Sequence, residues 1–265
     1  MSDLALARPV AAPAASRFLT DTAVMAGRCL RIAVRNLDSL LTSLMLPVML
    51  MLLFVYLFGG AIETGTQYVN YVVPGVLLLC AGYGSAQTAV TVAHDMTSGV
   101  IDRFRSMDMN GAAVLAGHVI ASVIRNLVST VLVLGVALLI GFRPVAGADA
   151  WLVAGLVLVL YILAMSWLSA VFGLLVSSPE AAAGLGFFVL FLPYPSSAFV
   201  PIETMPSWIH GFAQHQPVTP AIEALRAYLL GLPIGTHAWT AIAWSLGILT
   251  VSAISAALIF TRKTS

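Results

Sequence analysis

MTSGVIDRFR, residues Met96–Arg105, is a short charged island with long apolar runs on both sides. Leu40–Phe58 and Tyr71–Ala93 precede it, and Val114–Ile140 follows it. A segment carrying Asp102, Arg103 and Arg105 between two membrane spans must sit in water, and its basic residues point it to the cytoplasmic face. Working outward, six apolar stretches are long enough to cross a hydrocarbon core of about 30 Å as helices. They lie near Leu40–Phe58, Tyr71–Ala93, Val114–Ile140, Trp151–Val176, Ala181–Val200 and Trp239–Phe260. The runs are continuously apolar, without the alternation of barrel strands, so helices are expected. The expected fold is therefore all-α and integral to the membrane, with six transmembrane helices.

Composition points the same way. Of 265 residues, 60% are hydrophobic and 9% charged, whereas a soluble domain carries about 25% charged residues. The net charge of +1 gives no reason to expect a nucleic-acid partner. Cys29 precedes the first span and Cys80 lies inside the second, so no disulfide framework is implied. Met1–Ser16 is rich in Ala and Pro and lacks a long apolar core, so a disordered tail is expected there rather than a cleaved signal peptide.

Basic residues set the orientation. Arg8, Arg17, Arg28, Arg31, Arg35, Arg103, Arg105, Arg262 and Lys263 fall on one side of the expected membrane; Arg143 and Arg226 fall on the other. Nine against two places both termini in the cytoplasm by the positive-inside bias.

Two segments do not span. In Phe18–Leu41, Arg28, Arg31 and Arg35 recur on one helical face and Leu30, Val34, Leu37 and Leu41 on another. Such a helix is expected to lie along the cytoplasmic membrane surface. The chain thus divides into a tail (1–17), an amphipathic helix (18–41) and a six-helix transmembrane domain (42–265). The second segment, Pro201–His237, contains five prolines and cannot be one helix. Thr219 as cap, Pro220 at the first helical position and Gly231 at the end predict a short amphipathic helix over Pro220–Leu230. Trp208, Ile209 and Phe212 predict an earlier interfacial turn, and the whole reads as an external segment that dips into the outer leaflet or lids the bundle.

No phosphate-binding loop is present, and the lysine is Lys263, so the chain offers no nucleotide site. No HExxH, CxxC or EF-hand pattern appears, and His210 and His215 fall on different helical faces, so no metal is expected. GYGSA, Gly82–Ala86, lacks the nucleophile-elbow spacing and suits close helix packing. Arg125 is the one clear ionisable residue inside a span; it either snorkels to the cytoplasmic interface or serves an ion relay. His118 is expected at that interface. Polar stripes remain. Tyr83, Gln87, Thr88 and Thr91 on the second span are candidates for a transport pathway. Ser166, Ser169, Gly173 and Ser177 on the fourth, and Ser245, Ser252 and Ser255 on the sixth, can line a cavity or pack helices. Pro193 and Pro195 interrupt the fifth span just before Ser196 and Ser197, where a kink could form an outer gate.

Four segments carry a resemblance. LTSLMLPVMLMLLFVYLFGG (Leu41–Gly60), SGVIDRFRSMDMN (Ser98–Asn110), GFRP (Gly141–Pro144) and SSAFVPIETMPSWIHGFAQHQPVTPAIEALRAYLLG (Ser196–Gly231) resemble ABC exporter permeases of the daunorubicin-resistance type, the last segment being the most specific. The resemblance implies that 18–41 is a connecting helix. Asp95, Gly99, Asp102, Arg103, Phe104 and Arg105 would lie in or beside a coupling helix seated in a groove of a separate ATPase subunit. There Phe104 would be an apolar anchor ringed by charges. Pro179 and Glu180 would be a lesser contact, though they also fit an ordinary helix start. The external loop or gate would comprise Ser196, Ser197, Phe199, Pro201, Glu203, Pro206, Pro217, Thr219, Pro220, Glu223 and Arg226. Where the family often has a proline and a basic residue, this chain has Asp108 and Asn110, so the exit from the coupling helix and the choice of partner can differ.

The resemblance further implies a non-catalytic membrane subunit of an ABC exporter for amphipathic drugs, antibiotics or lipids. No cofactor would sit in this chain; ATP and Mg would be bound by the partner ATPase, and a second, identical permease would pair with it around a pathway for hydrophobic cargo. Rivals are a permease for lipid-linked glycans, an ion-coupled secondary transporter and an intramembrane enzyme. The carrier needs a titratable group at mid-membrane, where Arg125 is the candidate, and the enzyme needs a converging nucleophile and base, which are not visible.

Overall fold

The structure is a computed structural model that describes residues 14–35, 37–101, 103, 109 and 111–264. In chain order it holds helices α1 (Ala14–Arg35), α2 (Leu37–Leu53), α3 (Tyr68–Thr97), α4 (Gly111–Leu139), α5 (Ala148–Leu175), α6 (Pro179–Phe191), α7 (Ser207–His215), α8 (Val218–Leu230) and α9 (His237–Thr264). A π-helical turn, Phe54–Phe58, prolongs α2, and a 3-10 turn, Ile202–Thr204, precedes α7.

The all-α class stands, but the expectation of six spanning helices is corrected. Four helices are long and apolar enough to cross a membrane: α3, α4, α5 and α9. The apolar parts of the other two candidates, Leu44–Phe58 and Pro179–Phe191, are shorter. At about 1.5 Å per residue they reach roughly 20–22 Å, short of a core of about 30 Å. The cause is local in each case. Asp38, Ser39, Thr42 and Ser43 occupy the start of α2, and Pro47 interrupts its interior. In the other, Pro193 and Pro195 lack amide hydrogens, so the helix stops at Phe191 and the chain runs through turns over 192–199. The expected tail is also shorter in its described part: 14–17 already belong to α1, and 1–13 lie outside the described residues. The amphipathic helix ends at Arg35, so Leu37 and Leu41 belong to α2.

The centre of the bundle is α3. Of its most apolar stretch 72% is buried, against 17% in α9, which packs from outside on α5 and α8. Around α3 stand α2, α4, α5, α6 and α8. Small residues allow the approach. A Cβ on Gly84 would meet Asn126 of α4, one on Gly82 would sit 3.3 Å from the Val189 carbonyl oxygen of α6, and one on Gly173 of α5 would sit 2.4 Å from the Ala89 carbonyl oxygen. GYGSA is thus a packing element. Between α3, α4 and α5 lies a buried hydroxyl cluster. Thr88 donates to Ser122 at 2.8 Å, Ser122 and Ser166 share a bond of 2.9 Å, and Ser85 and Ser166 one of 3.3 Å. Each such bond inside a bilayer contributes roughly 0.6 kcal/mol. Ser166 and Thr88 therefore join helices and do not line a cavity.

At the far end from α1, the turn after α6 folds back on the start of α3. A Cβ on Gly75 would sit 2.6 Å from the Cα of Ala198. The helices of the Pro201–His237 segment form near their expected places: α8 runs Val218–Leu230 and stops at Gly231, whose φ of 65° is a left-handed cap. Two details differ. The helix starts at Val218 after Pro217, and the Thr219 hydroxyl donates to the Ala213 carbonyl at 2.5 Å instead of capping α8. Trp208 and Phe212 lie exposed on α7.

Gly75→Ala should lower stability by about 1–3 kcal/mol, because the new methyl meets backbone that cannot rotate away. Gly184→Ala, where a Cβ meets nothing within 4 Å, should change it little. Thermal unfolding of both variants in the same detergent checks this.

Candidate functional site

On α1, Met25, Arg28, Cys29 and Ile32 share one helical side. Met25 is buried against Gly117 of α4, where a Cβ would come within 2.4 Å of the Met25 Cβ. That close approach carries the next turn of α1 onto the last turn of α3. Arg28 donates to both Asp95 oxygens, at 2.6 and 3.2 Å. His118 Nε2 of α4 stands 3.2 Å from the same carboxylate, and Cys29 Sγ 3.5 Å from His118 Nδ1. Asp95 and His118 are buried, whereas Arg28 keeps 28% of its side chain exposed. The hydrogen bond to Asp95 raises the Arg28 guanidinium above its ordinary pKa.

Beside this cluster lies a cavity of about 310 Å³ between α1, α3 and α4. Gly84, Gln87, Thr91 and Asp95 line it from α3, and His118, Ala121, Arg125 and Ser129 from α4. Both sets follow helical spacing along one face. Arg125 sits midway between Gly111 and Leu139, and its head turns inward to donate to the Gly84 carbonyl at 3.3 Å.

Of the candidate pathway residues, Gln87 and Thr91 line this cavity, Thr88 belongs to the hydroxyl cluster, and half-buried Tyr83 is outside the lining. Asp95 faces inward to Arg28. Gly99 follows the end of α3 in the left-handed region at φ 73°, and the Arg103 N–H bonds back to its carbonyl at 3.3 Å. Asp102, Phe104 and Arg105, with Asp108 and Asn110, lie outside the described residues. Ile101 was not singled out by sequence reading. It is buried in a cluster with Met25, Val114, Leu115 and Phe260 and pins the base of the loop. Ser178 caps α6 by accepting from the Ala181 N–H, with Pro179 in the first turn and Glu180 exposed.

The external residues divide in two. Buried Arg226 donates to the Tyr71 carbonyl at 3.0 and 3.2 Å and to the Ser197 carbonyl at 2.7 Å, pairs with Glu223 at 2.5 Å, and lies 3.8 Å over the Tyr71 ring. Ser196 donates to the Pro193 carbonyl, Gln216 to those of Leu192 and Pro195, and the Phe199 carbonyl accepts from the Tyr68 hydroxyl at 2.7 Å. The turn after α6 is thus closed by side-chain donors to five of its carbonyls, although the Ser197 hydroxyl and the Gln216 side-chain oxygen are buried without a partner among the described residues. Pro201, Glu203 and Pro206 lie on its more accessible side, while Pro217 and buried Pro220 belong to the start of α8.

Four long apolar helices, one of them the buried hub of the bundle, define a multi-pass membrane protein. The chain belongs to the ABC-2 type transporter family, which matches residues 20–230. It is 33% identical over 256 residues to the daunorubicin resistance ABC transporter permease protein DrrB1 of Streptomyces coeruleorubidus, covering 95% of this chain and 85% of that protein. It is 26% identical over 260 residues to the probable doxorubicin resistance ABC transporter permease protein DrrC of Mycobacterium tuberculosis, covering 95% of this chain and 92% of that one. The chain is therefore a permease subunit of an ABC transporter, a transport component that does no catalysis itself. That architecture implies a partner ATPase.

Arg28→Gln should destabilise the protein by about 1–3 kcal/mol, because buried Asp95 loses its bidentate donor. Asp95→Asn should cost less, because the partly exposed Arg28 can turn to water. Arg28→Leu with Asp95→Leu should recover much of the loss of Arg28→Gln. Unfolding midpoints of the three variants measure this ordering.

Proposed function

We propose that this chain exports amphipathic drugs, antibiotics or lipids from the cytoplasm or inner leaflet, driven by ATP hydrolysis in a separate subunit. The observation that carries the reading is the 33% identity to a daunorubicin resistance permease over 95% of the chain. The lining of the cavity supports an amphipathic cargo, since apolar Ile32, Ala33 and Val90 line it together with polar Gln87 and Thr91. Both termini and the α1 end of the bundle face the cytoplasm, a placement supported by nine basic residues there against two on the other side.

Movement enters through the loop at 95–105. ATP-driven closure of the ATPase subunits pushes the loop, and Ile101 and the Arg28–Asp95 pair carry the push to α3 and α1. A second copy of the chain completes the pathway. The bare apolar faces of the two shorter helices, Met45 and Met49 on α2 and Phe187, Phe188 and Phe191 on α6, support that pairing.

The test is co-purification from the native host in mild detergent. The wild-type chain should bring down a stoichiometric ABC ATPase, and Phe104→Ala with Arg103→Glu should reduce the yield of that ATPase at least tenfold. ATP should then drive a fluorescent anthracycline into inside-out vesicles carrying both subunits. A stable wild-type chain that never retains an ATPase would overturn the reading.

A further inference from the structure

The cavity between α1, α3 and α4 holds more positive charge than its own acid can balance. Among its described lining residues the permanent cations are Arg28 and Arg125, and the carboxylate is Asp95. Asp95 is taken by Arg28 through both oxygens and by His118 at 3.2 Å. The Arg125 head, in contrast, makes one bond of 3.3 Å to the Gly84 carbonyl, and no carboxylate among the described residues pairs with it. A guanidinium carries five donors, and one held at mid-helix in a membrane protein is costly without a counter-anion.

Other polar side chains line the same space. Gln87 and Ser129 lie along it with Arg125, as does Thr91, whose hydroxyl donates to the Thr88 carbonyl at 3.1 Å. About 310 Å³ lies at the small end of ligand sites, enough for a head group and too little for a whole drug-sized molecule. The rest of the lining is mostly apolar, with Ile32, Ala33 and Val90 among it and Ile32 exposed at the edge, while His94 is the polar residue at the rim. A polar pocket with apolar residues at its exposed border fits a molecule whose head enters and whose tail stays in lipid. Basic pockets between membrane helices are suited to anionic head groups.

We infer that this cavity binds the anionic head group of an amphiphile, with Arg125 as its principal counter-ion and Gln87 as a hydrogen-bond donor. The shared chemistry is a phosphate or carboxylate on an apolar tail, whether a resident membrane lipid or cargo. The inference rests on the cavity and on the multi-pass membrane class, and does not require the export reading: a chain that never binds an ATPase would still hold the head group.

The experiment is native mass spectrometry of the full chain in neutral detergent, titrated with phosphatidylglycerol or phosphatidylcholine. One phosphatidylglycerol per chain should be retained at concentrations where phosphatidylcholine is not. Arg125→Gln should weaken that retention about tenfold, Arg125→Lys should restore part of it, and Arg31→Gln, on the exposed side of α1, should leave it unchanged. Dodecanoate competing where decyl maltoside does not would mark the site as open to any acidic amphiphile, and no competition would mark it as a lipid-phosphate site; both support the inference. Displacement by millimolar inorganic phosphate would overturn the amphiphile assignment. Equal retention of both lipids, equal loss in Arg125→Gln and Arg31→Gln, or no loss in Arg125→Gln would overturn the site. Circular dichroism of each variant separates loss of the site from loss of the fold.

Discussion

A buried carbonyl or charge must find its partner within the protein, and that constraint organises both ends of α3. At one end the chain stops being helical after Phe191 because of its prolines, leaving carbonyls from Leu192 to Phe199 to be satisfied. Arg226, Gln216 and Tyr68 supply the donors, each from a different element. At the other end Asp95 is buried and must be neutralised, and Arg28 reaches in from α1 to do so. Remove either set and the hub loses an end, while the helices around it lose their common support.

The two clamps differ in what they permit. Arg226 is buried, bonded to two carbonyls and one carboxylate, and stacked on Tyr71, so it locks α8, α3 and the turn after α6 into one block. Arg28 is partly exposed and ties a peripheral helix to the hub through the Asp95 carboxylate. The mobile side of such a transporter would be the latter. There the charged loop leaves α3, and Ile101 joins its base to α1, α4 and α9 through one apolar cluster.

The cavity shares its walls with that second clamp. Arg28, Asp95 and Arg125 all line it, so a ligand there and the packing of α1 on α3 would share side chains. A ligand that favours one position of α1 shifts the helix toward that position by its differential affinity. On the proposed reading, cargo recognition and mechanical coupling would meet along one face of α3.

Membrane class, helical fold, the amphipathic nature of α1 and the helix before Gly231 were legible in the sequence, because continuous apolar runs, periodic spacing and caps are local signals. The count of full spans was not: hydropathy treats Ala181–Val200 as one run, while Pro193 and Pro195 end the helix within it. The stripe Gln87, Thr91 was visible, and Asp95 continues it at the same spacing. Its partner, however, is Arg28, 67 residues away, and no local pattern reports a contact across that distance. Arg226 likewise read as part of an external loop or gate, and no local pattern reports its bonds to the Tyr71 and Ser197 carbonyls. Sequence alone determined which segments avoid water, since that depends on side-chain chemistry within one helix. Only the tertiary structure decided which polar residues inside those segments meet, because in a membrane they are placed by the partner each must find.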